Sequence, residues 1–510
     1  MAQRPRLFAW SLPAFLALSG CATVNPRPDY ERVAKHVAEA TGQHSIYRPG
    51  DEDLADQKVE ELRADGISAE EAVQICLLNN PSLQAEFLNV GMARADLVQS
   101  GLLSNPSLGL SLRLPAGGGL AALEGGIAQN IADLWQIPVR KRAAQRELDR
   151  AILELASKAA DLAADTKVAY FDAVAAQQLH ETALGNLDVA RELLELAQTR
   201  QGAGAGTELD VNLSRSLVLD AELEAASSRL AVAESRRSLA KLLGATDDAD
   251  KLVLLDPLPP PPSRQPDLAQ LLELAKQWRL DMKAARQAVS AAEAALKEQL
   301  RAIIPSVELG VEVERGERER AEGRDLLADT ARASIAAGQL TAPDIEPRSA
   351  RDVDTDFSIG PSIGLEIPIF DQNQAQIAKA KYAYEQARKT LDALDRAVTQ
   401  EVRGALDRAA TAWELAWLYE TRSIPLAERN LELSRESYQA GKVSFLSVLE
   451  AQRFFLESRS KYVKALQTAA GTIPDLERTI GRPFEGLVAA ASGVPTTDAA
   501  TSQPSEGEQP

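Results

Sequence analysis

The sequence predicts a mainly α-helical chain in which two tandem repeats each combine long coiled-coil helices with a hairpin of β-strands, giving four strands per chain. Three observations lead to this fold class. In several short stretches, apolar residues alternate with small or polar ones, as in strands with two different faces. In much longer stretches, apolar residues recur at three- and four-residue steps, as in coiled-coil helices. The same order of elements also occurs twice along the chain.

The second half of the chain contains the clearest change from one pattern to the other. Apolar side chains occupy the odd positions from Phe357 to Ile369, apart from Pro361, which predicts a strand. The alternation then stops, and Asp371 followed three residues later by Gln374 predicts the capped start of a helix. The helical pattern continues to about Ala440, so this helix is expected to be roughly 100 Å long.

Three further stretches predict the remaining strands, at residues 106–114, 124–134 and, after Pro305, 307–313. Another long helix is expected after Pro138, because its apolar and small residues keep the spacing of a buried coiled-coil seam. The residues of this seam are Leu148, Ile152, Leu155, Ala159, Leu162, Thr166, Ala169, Ala173, Ala176, His180, Ala183, Leu187, Ala190, Leu194 and Ala197.

The two halves of the chain match at a constant shift. Gly204, which follows the first long helix, corresponds to Gly441, a shift of 441 − 204 = 237, and two further motifs keep this shift. The spacing from Pro368 to Gly441 exceeds that from Pro138 to Gly204 by seven residues. Because seven residues are one heptad, a longer second helix with the same seam is predicted.

The N-terminus resembles a bacterial lipoprotein signal. Arg4 and Arg6 precede an apolar run that ends at Leu18, and Cys21 follows, so Cys21 is expected to be acylated. An ordinary signal peptide with an incidental cysteine is the alternative. The expected parts of the chain are a signal peptide (1–20), a lipidated tether (21–66), a first repeat (67–256), a Pro-rich linker (257–266), a second repeat (267–487) and a disordered C-terminal tail (488–510).

Composition and charge exclude several function classes. The net charge of −18 at pH 7 opposes binding to nucleic acid, whose phosphates are also negative. No run of about eighteen apolar residues is present, so no transmembrane helix is expected. His180 lies on the seam and is interpreted as a packing residue rather than a metal ligand. Neither an enzyme nor a cofactor is expected, because no paired-His motif, phosphate-binding glycine loop or nucleophile elbow occurs.

Four strands cannot cross a membrane alone, because the smallest bacterial barrels have about eight strands and an open sheet edge cannot lie in lipid. The chain is therefore expected to oligomerise, and two, three or four copies would give about eight, twelve or sixteen strands. Residues 315–356 are highly charged, join the third and fourth strands, and are expected on the cell exterior.

Several motifs resemble the TolC family of bacterial outer-membrane efflux ducts. They are ISAEEAVQICLLNNPSL at residues 67–83, PSIGLEIPIFDQNQA from Pro361, GTELDV from Gly206 and YQAGKVSFLSVLEAQR from Tyr438. The resemblance implies a homotrimer, with a strand barrel in outer-membrane lipid and a helical tunnel across the periplasm. It also implies two partners, a periplasmic adaptor protein and an inner-membrane pump.

The function implied by this resemblance is passive transport of small solutes or metal ions in a tripartite efflux system. The stretch FDQNQ from Phe370 is similar to the heavy-metal cation-efflux branch. Two alternatives stay open at this point. One is the outer-membrane duct of a type I protein secretion system, and the other is a structural coiled-coil lipoprotein of the envelope, which would have no amphipathic strands.

The resemblance also implies a gate at the periplasmic end, made by an Asp, a Tyr, a basic residue and rings of carboxylates. Val443 stands where the basic residue is expected, and Ser447 replaces one ring carboxylate, so a hydrogen bond between Asp210 and Tyr438 is expected without a salt bridge. The positions assigned to the gate are Asp210, Tyr438, Glu450, Ser447 and Thr207.

Pro425 lies inside the second long helix. Proline removes one helical N–H and crowds the carbonyl four residues earlier, here that of Thr421, so a kink is predicted. The corresponding residue of the first repeat is Asp188. Such a kink serves either as a hinge or as a tolerated bend.

Overall fold

The computed structural model describes residues 22–114, 121–245, 249–303, 306–317, 334–338 and 355–483. The chain divides into two compact units. One unit is helical and consists of the described residues within Met1–Asp96, Arg146–Ala291 and Glu385–Pro510. The other contains the strands and consists of the described residues within Leu97–Gln145 and Ala292–Tyr384.

Helices make up most of the described chain. None of those in the described part is both long and apolar enough to cross a membrane. The helices are α1 (Arg27–Thr41), α2 (Glu52–Arg63), α3 (Ala69–Asn79), α4 (Pro81–Ser100), α5 (Asp133–Gly202), α6 (Glu208–Leu242), α7 (Leu268–Trp278), α8 (Leu280–Arg301), α9 (Gln374–Leu418), α10 (Ile424–Gln439) and α11 (Phe445–Ile480), with a 3-10 turn at Ala249–Lys251.

Most residues of the seam predicted on α5 are buried. Every residue of the seam is buried except Leu162, His180 and Leu194, which are half-buried. The polar member Thr166 satisfies its hydroxyl by donating to the carbonyl of Leu162 at 2.7 Å. The small residues on the seam permit close helix packing, and the predicted heptad pattern is confirmed.

The strands form one antiparallel sheet with the order β1 (Ser107–Arg113), β2 (Ala122–Asn130), β3 (Val307–Glu317) and β4 (Thr355–Leu365). All four predicted strands are therefore confirmed, but the second ends at Asn130 rather than at residue 134, because α5 begins at Asp133. The last one is shorter than predicted, since Ile367 and Ile369 lie beyond it. Leu365 already pairs with Val307, the first residue of β3, and Pro368 has no N–H for a ladder.

The pairing register gives this sheet two different faces. One face is apolar and solvent-exposed, although exposed apolar patches on soluble proteins are normally small. The alternative prediction of a structural coiled-coil lipoprotein, which would have no amphipathic strands, is therefore wrong. The exposed apolar residues are Leu108, Leu110, Leu112, Ile127, Leu309, Val311, Ile359 and Ile363, at 48% to 76% exposure. The other face carries Ser107, Gly109, Ser111, Arg113, Glu124, Gly126, Glu308, Glu312, Glu314, Ser358, Gly360 and Ser362.

The two repeats are built alike where a short helix meets the next helix. In the first repeat, Asn80 follows α3 and its side-chain amide donates to the carbonyl of Leu242 at 2.9 Å. In the second, Arg279 follows α7 and its guanidinium donates to the carbonyl of Thr479 at 3.4 Å. Since 479 − 242 = 237, the shift seen in the sequence also relates these two hydrogen bonds.

The prediction of a longer second helix is wrong. α5 begins at Asp133, before Pro138, whereas α9 begins at Gln374, after Pro368. Pro138 therefore lies inside its helix, whereas Pro368 lies before its helix. For this reason the spacings from these prolines to Gly204 and Gly441 do not measure helix length.

Asp371 does not cap α9 as predicted. Its carboxylate accepts the N–H of Asn373 at 2.8 Å, which forms a turn one residue before the helix. Asn373 has a positive φ of 61°, a conformation that Asn tolerates better than most residues, and α9 begins directly after it. The side chain of Asn373 also donates to the carbonyl of Gln299 at 2.8 Å.

A π-helical turn at Tyr419–Ser423 separates α9 from α10. α10 begins at Ile424, so Pro425 lies in its first turn, where a missing N–H costs least. In the first repeat, α5 continues through Asp188 without interruption. The bend at Pro425 stays a prediction, and the π-helical turn shows how the backbone accommodates the proline.

The N-terminal segment is more structured than the predicted tether. It contains α1 and α2, and Tyr30 packs edge-on against Phe87 of α4, with ring centroids 5.7 Å apart. Arg32 forms an ion pair with Asp149 of α5 at 2.7 Å. The prediction missed these helices because the segment is polar in average composition, although one face of α1 is apolar and buried. Cys21 lies outside the described residues.

Tyr170 connects the start of the first repeat to its end through two hydrogen bonds. Its hydroxyl donates to the carbonyl of Ile67 at 3.0 Å and accepts the N–H of Asp256 at 2.9 Å. The carboxylate of Asp256 in turn accepts the N–H of Ala69 at 2.7 Å. Burial raises the pKa of Tyr170 to about 12, so the phenol stays protonated and keeps donating.

Candidate functional site

The gate residues predicted from the sequence lie at two helical tips, one in each repeat. The first tip joins α5 to α6, and the second joins α10 to α11. Gly204 and Gly441 have φ values of 74° and 70°, in the left-handed region that glycine enters without strain. Both tips have the hydrogen bonds of a Schellman motif, from Ala205 to Arg200 at 2.9 Å and from Lys442 to Ser437 at 2.9 Å.

The helix that follows each tip is capped differently. In the first repeat, the hydroxyl of Thr207 accepts the N–H of Asp210 at 3.2 Å, and the Asp210 carboxylate accepts the N–H of Thr207 at 3.0 Å. This reciprocal pair is a capping box. In the second repeat, the side chain of Ser444 at the start of α11 accepts no helical N–H, and its hydroxyl lies 3.4 Å from that of Ser447, the residue that stands where the first repeat has Asp210.

Tyr438 packs into an apolar cluster at the tips. Its ring lies 5.5 Å from that of Phe445, measured between centroids, and the side chain is half-buried. Buried residues of α5, α6 and α11 form the cluster, so the two tips are in contact within one chain. These residues are Leu193, Ala197, Val211, Phe445 and Leu449.

In the described part of the chain, Asp210 and Tyr438 do not form the expected hydrogen bond with each other. Asp210 instead uses its carboxylate in the capping box, where a negative charge is favourable near a helix N-terminus. Burial raises the pKa of Tyr438, Arg200 lowers it, and Asp210 raises it, with a net increase.

Arg200 is a residue of this site that the sequence did not point to. Its guanidinium lies over the ring of Tyr438, with the central carbon 4.5 Å from the ring centroid. The motif comparison placed the missing basic residue at Val443, in the second tip, but the cation comes from the last turn of α5, in the first tip. No spacing rule links Arg200 to Tyr438, since they come close only through the packing of the two tips.

Glu450 and His180 lie in different surroundings. Glu450 is exposed on α11. The Nδ1 atom of His180 lies 2.9 Å from the hydroxyl of Ser228, which joins α5 to α6. Among the residues that the structure describes, no three His, Cys, Asp or Glu side chains are grouped in a way that could hold a metal ion.

The paired tips and the two-faced sheet can be compared with known proteins. The family described as outer membrane efflux protein matches residues 72–245 and 271–482, which is one segment in each repeat and more than half of the chain. The chain belongs to the outer membrane efflux protein family. Members of this family are channels rather than enzymes, and this chain is an outer-membrane duct of efflux or secretion systems.

Two relatives extend this result. Protein CyaE of Bordetella pertussis is 26% identical over 79% of this chain and 81% of its own length. The cobalt-zinc-cadmium resistance protein CzcC of Cupriavidus metallidurans is 24% identical over 67% of this chain and 73% of its own length.

A solved structure supports the fold of this outer membrane efflux protein. The outer membrane protein VceC from Vibrio cholerae superposes with a TM-score of 0.61 and covers 82% of this chain and 96% of its own. The two sequences are only 18% identical, so the likeness concerns the fold. The predicted combination of long helices and strands is confirmed, while the roles of the predicted gate residues stay predictions.

Proposed function

We propose that this outer membrane efflux protein is the homotrimeric outer-membrane channel of a tripartite efflux system. It conducts small solutes or metal ions passively, from an inner-membrane pump and a periplasmic adaptor protein to the cell exterior. The observation that carries the proposal is the two-faced sheet, in which one face is apolar and exposed while the other is small, polar and acidic. Such a sheet suits contact with lipid on one side and water on the other.

The strand count supports assembly from several chains. Within the described residues, β1 and β4 are the edges of a four-stranded sheet. Unpaired edges are too costly in lipid, so copies must join edge to edge. Three chains would contribute 3 × 4 = 12 strands, an even number within the range of bacterial barrels, and the family resemblance selects three.

The charge of the polar sheet face favours cations over anions as cargo. In the described strands this face carries Glu124, Glu308, Glu312 and Glu314, while its one cation, Arg113, pairs with Glu124 at 2.8 Å. Acidic linings concentrate cations near them. The name of the relative CzcC, a cobalt-zinc-cadmium resistance protein, is also consistent with metal ions.

A transport assay separates the efflux proposal from its alternative, a type I secretion duct. We expect a strain lacking the gene to accumulate more Zn²⁺, Co²⁺ and Cd²⁺, or more of a small organic toxin, and the cloned gene to reverse this. Retention of a secreted protein in the periplasm or cytoplasm, with unchanged levels of small solutes, would instead support protein secretion. An adjacent gene for a secretion ATPase would point the same way.

The lipid anchor is part of the proposal and has a direct test. We expect wild-type protein to incorporate radiolabelled fatty acid and Cys21→Ser to incorporate none, because Cys21 is the acceptor in the lipoprotein-like signal. The Cys21→Ser protein should still reach the outer membrane if fused to an ordinary signal peptide, since strand closure holds the barrel in lipid. Fatty acid labelling of Cys21→Ser would contradict the anchor, and Cys76→Ser is the matched control.

A carboxylate ring at the periplasmic mouth has a test in planar bilayers. Three copies of the exposed Glu450 would attract cations, so we expect Glu450→Gln to lower the cation preference by about twofold and to weaken block by multivalent cations. The control Glu432→Gln removes an exposed charge that already pairs with Arg429. Equal effects of the two substitutions would mean that Glu450 forms no such ring.

A further inference from the structure

We propose that Arg200 holds the first helical tip against the second and thereby favours the resting, narrow state of the duct entrance. The inference rests on the proposed function, in which these tips form the periplasmic mouth. It assigns a positioning role to a residue that the family comparison did not single out. The contact involved is a cation–π interaction inside one chain, between the end of α5 and the end of α10.

The guanidinium of Arg200 has few other partners. Its Nε atom is buried and has no hydrogen-bond partner, and one terminal nitrogen reaches the Ala205 carbonyl only at 3.5 Å. No carboxylate forms an ion pair with it in the described part of the chain. The ring of Tyr438, 4.5 Å away, is therefore the main group that stabilises this half-buried charge.

Local structure fixes the position of Arg200 before it meets Tyr438. Its carbonyl accepts the N–H of Ala205 at 2.9 Å in the Schellman motif. The turn then folds back so closely that a Cβ on Gly206 would lie 3.2 Å from the Cβ of Arg200. Glycine at position 206 permits this approach, and the side chain of Arg200 is directed by a closely packed turn rather than by a free helix end.

The ring is held from the other side. Tyr438 packs against Phe445 and the apolar cluster, and its carbonyl accepts the N–H of Gly441 at 3.0 Å in the second Schellman motif. The cation and the ring thus belong to different hairpins, each with its own fixed turn. Any widening of the mouth that separates the α5–α6 hairpin from the α10–α11 hairpin must break this contact.

Single-channel recording of the full-length protein in planar lipid bilayers tests the proposal. We expect Arg200→Gln and Tyr438→Leu each to raise the ratio of open to closed time by roughly fivefold for each of the three contacts that the homotrimer loses, the value for a cation–π contact of typical strength. Tyr438→Phe keeps the ring and Arg200→Lys keeps a cation, so both should stay close to wild type. The double variant Arg200→Gln with Tyr438→Leu should show no more than the larger single effect, because both remove the same contact.

The matched control is Arg191→Gln. Arg191 is exposed on the same helix, pairs with Glu222 and does not touch Tyr438. An equal effect of Arg191→Gln and Arg200→Gln would overturn the proposal, because overall charge would then be responsible. An equal effect of Tyr438→Phe and Tyr438→Leu would also overturn it, because the hydroxyl rather than the ring would then hold the tip.

Failure of the proposed function gives a different result from failure of this contact. If wild-type protein forms no channels, the duct itself is in question and the contact loses its role as well. If wild type conducts and Arg200→Gln has the same open-to-closed ratio, only the contact is wrong. Should Arg200→Gln not assemble, Tyr438→Leu removes the same interaction from the second hairpin and decides the outcome.

Discussion

Substituting Gly244 or Gly481 with alanine is expected to lower the free energy of unfolding by about 3–5 kcal/mol, which is large for one methyl group. Both glycines end a helix with a positive φ, 69° and 77°. A Cβ on Gly244 would overlap the backbone carbonyl of Asn79, and one on Gly481 would lie 2.7 Å from the Cα and N atoms of Arg279. The conformation costs about 1–2 kcal/mol in an L-residue, and displacing the backbone adds the rest.

The chain contains its own controls for this prediction. Gly204 and Gly441 have the same left-handed conformation, but nothing lies within 4 Å of an added Cβ. Gly204→Ala and Gly441→Ala should therefore cost only about 1–2 kcal/mol, the conformational part. Thermal unfolding of the purified protein, followed by helix content, measures all four. If the four substitutions have equal effects, close packing at the repeat junctions does not matter for stability.

These glycines show what the sequence predicts and what it leaves out. The equivalence of Gly244 and Gly481 follows from the constant shift of 237, since 481 − 244 = 237. Their close approach to Asn79 and Arg279 does not follow, because it depends on how the last helix of each repeat meets the first. Sequence similarity thus locates the equivalent residues, while tertiary packing determines their importance.

The strands and the α5 seam were predictable because their signal is local. A period of two residues, or of three and four, remains visible within one element regardless of its neighbours. Helix boundaries were less predictable. Pro138 lies inside α5, whereas Pro368 lies before α9. α1 was not predicted because the segment that contains it is polar on average.

The tips illustrate the same division between local and tertiary information. The two turns follow from their glycines. The capping box of Thr207 and Asp210 was not predicted, because both residues were assigned to the gate. The contact between Arg200 and Tyr438 joins residues 238 positions apart, since 438 − 200 = 238, and no motif contains both. The motifs place the expected basic residue at position 443, where this chain has valine. In the structure, the cation near Tyr438 is Arg200, which lies on the other hairpin.

Asp133→Asn is expected to lower the free energy of unfolding by about 2–3 kcal/mol at neutral pH. The carboxylate is 3% exposed at the start of α5 and accepts the N–H and hydroxyl of Ser104 at 2.7 Å and 2.6 Å. It also pairs with Arg140 at 2.7 Å. Asparagine keeps the shape but loses the charge that holds Arg140 and favours the helix N-terminus. Since Arg140 is about one-third exposed, the cost is below that of breaking a fully buried pair.

The effect of Asp133→Asn should depend on pH in a defined direction. Burial alone raises the pKa of Asp133, but the hydrogen bonds from Ser104 and the charge of Arg140 outweigh burial and lower it. A folded-state pKa below the unfolded value, about 3.9, contributes stability above that value, and the contribution disappears as the pH falls through the folded pKa. The difference in unfolding free energy between wild type and Asp133→Asn should therefore be full at pH 7 and shrink below about pH 4.

Asp210→Asn is the control, because Asp210 also lies in a first helical turn but has no arginine partner in the described chain. We expect it to cost about 1 kcal/mol or less. A difference between wild type and Asp133→Asn that stays constant down to pH 2 would show that lost packing, rather than lost charge, destabilises the variant.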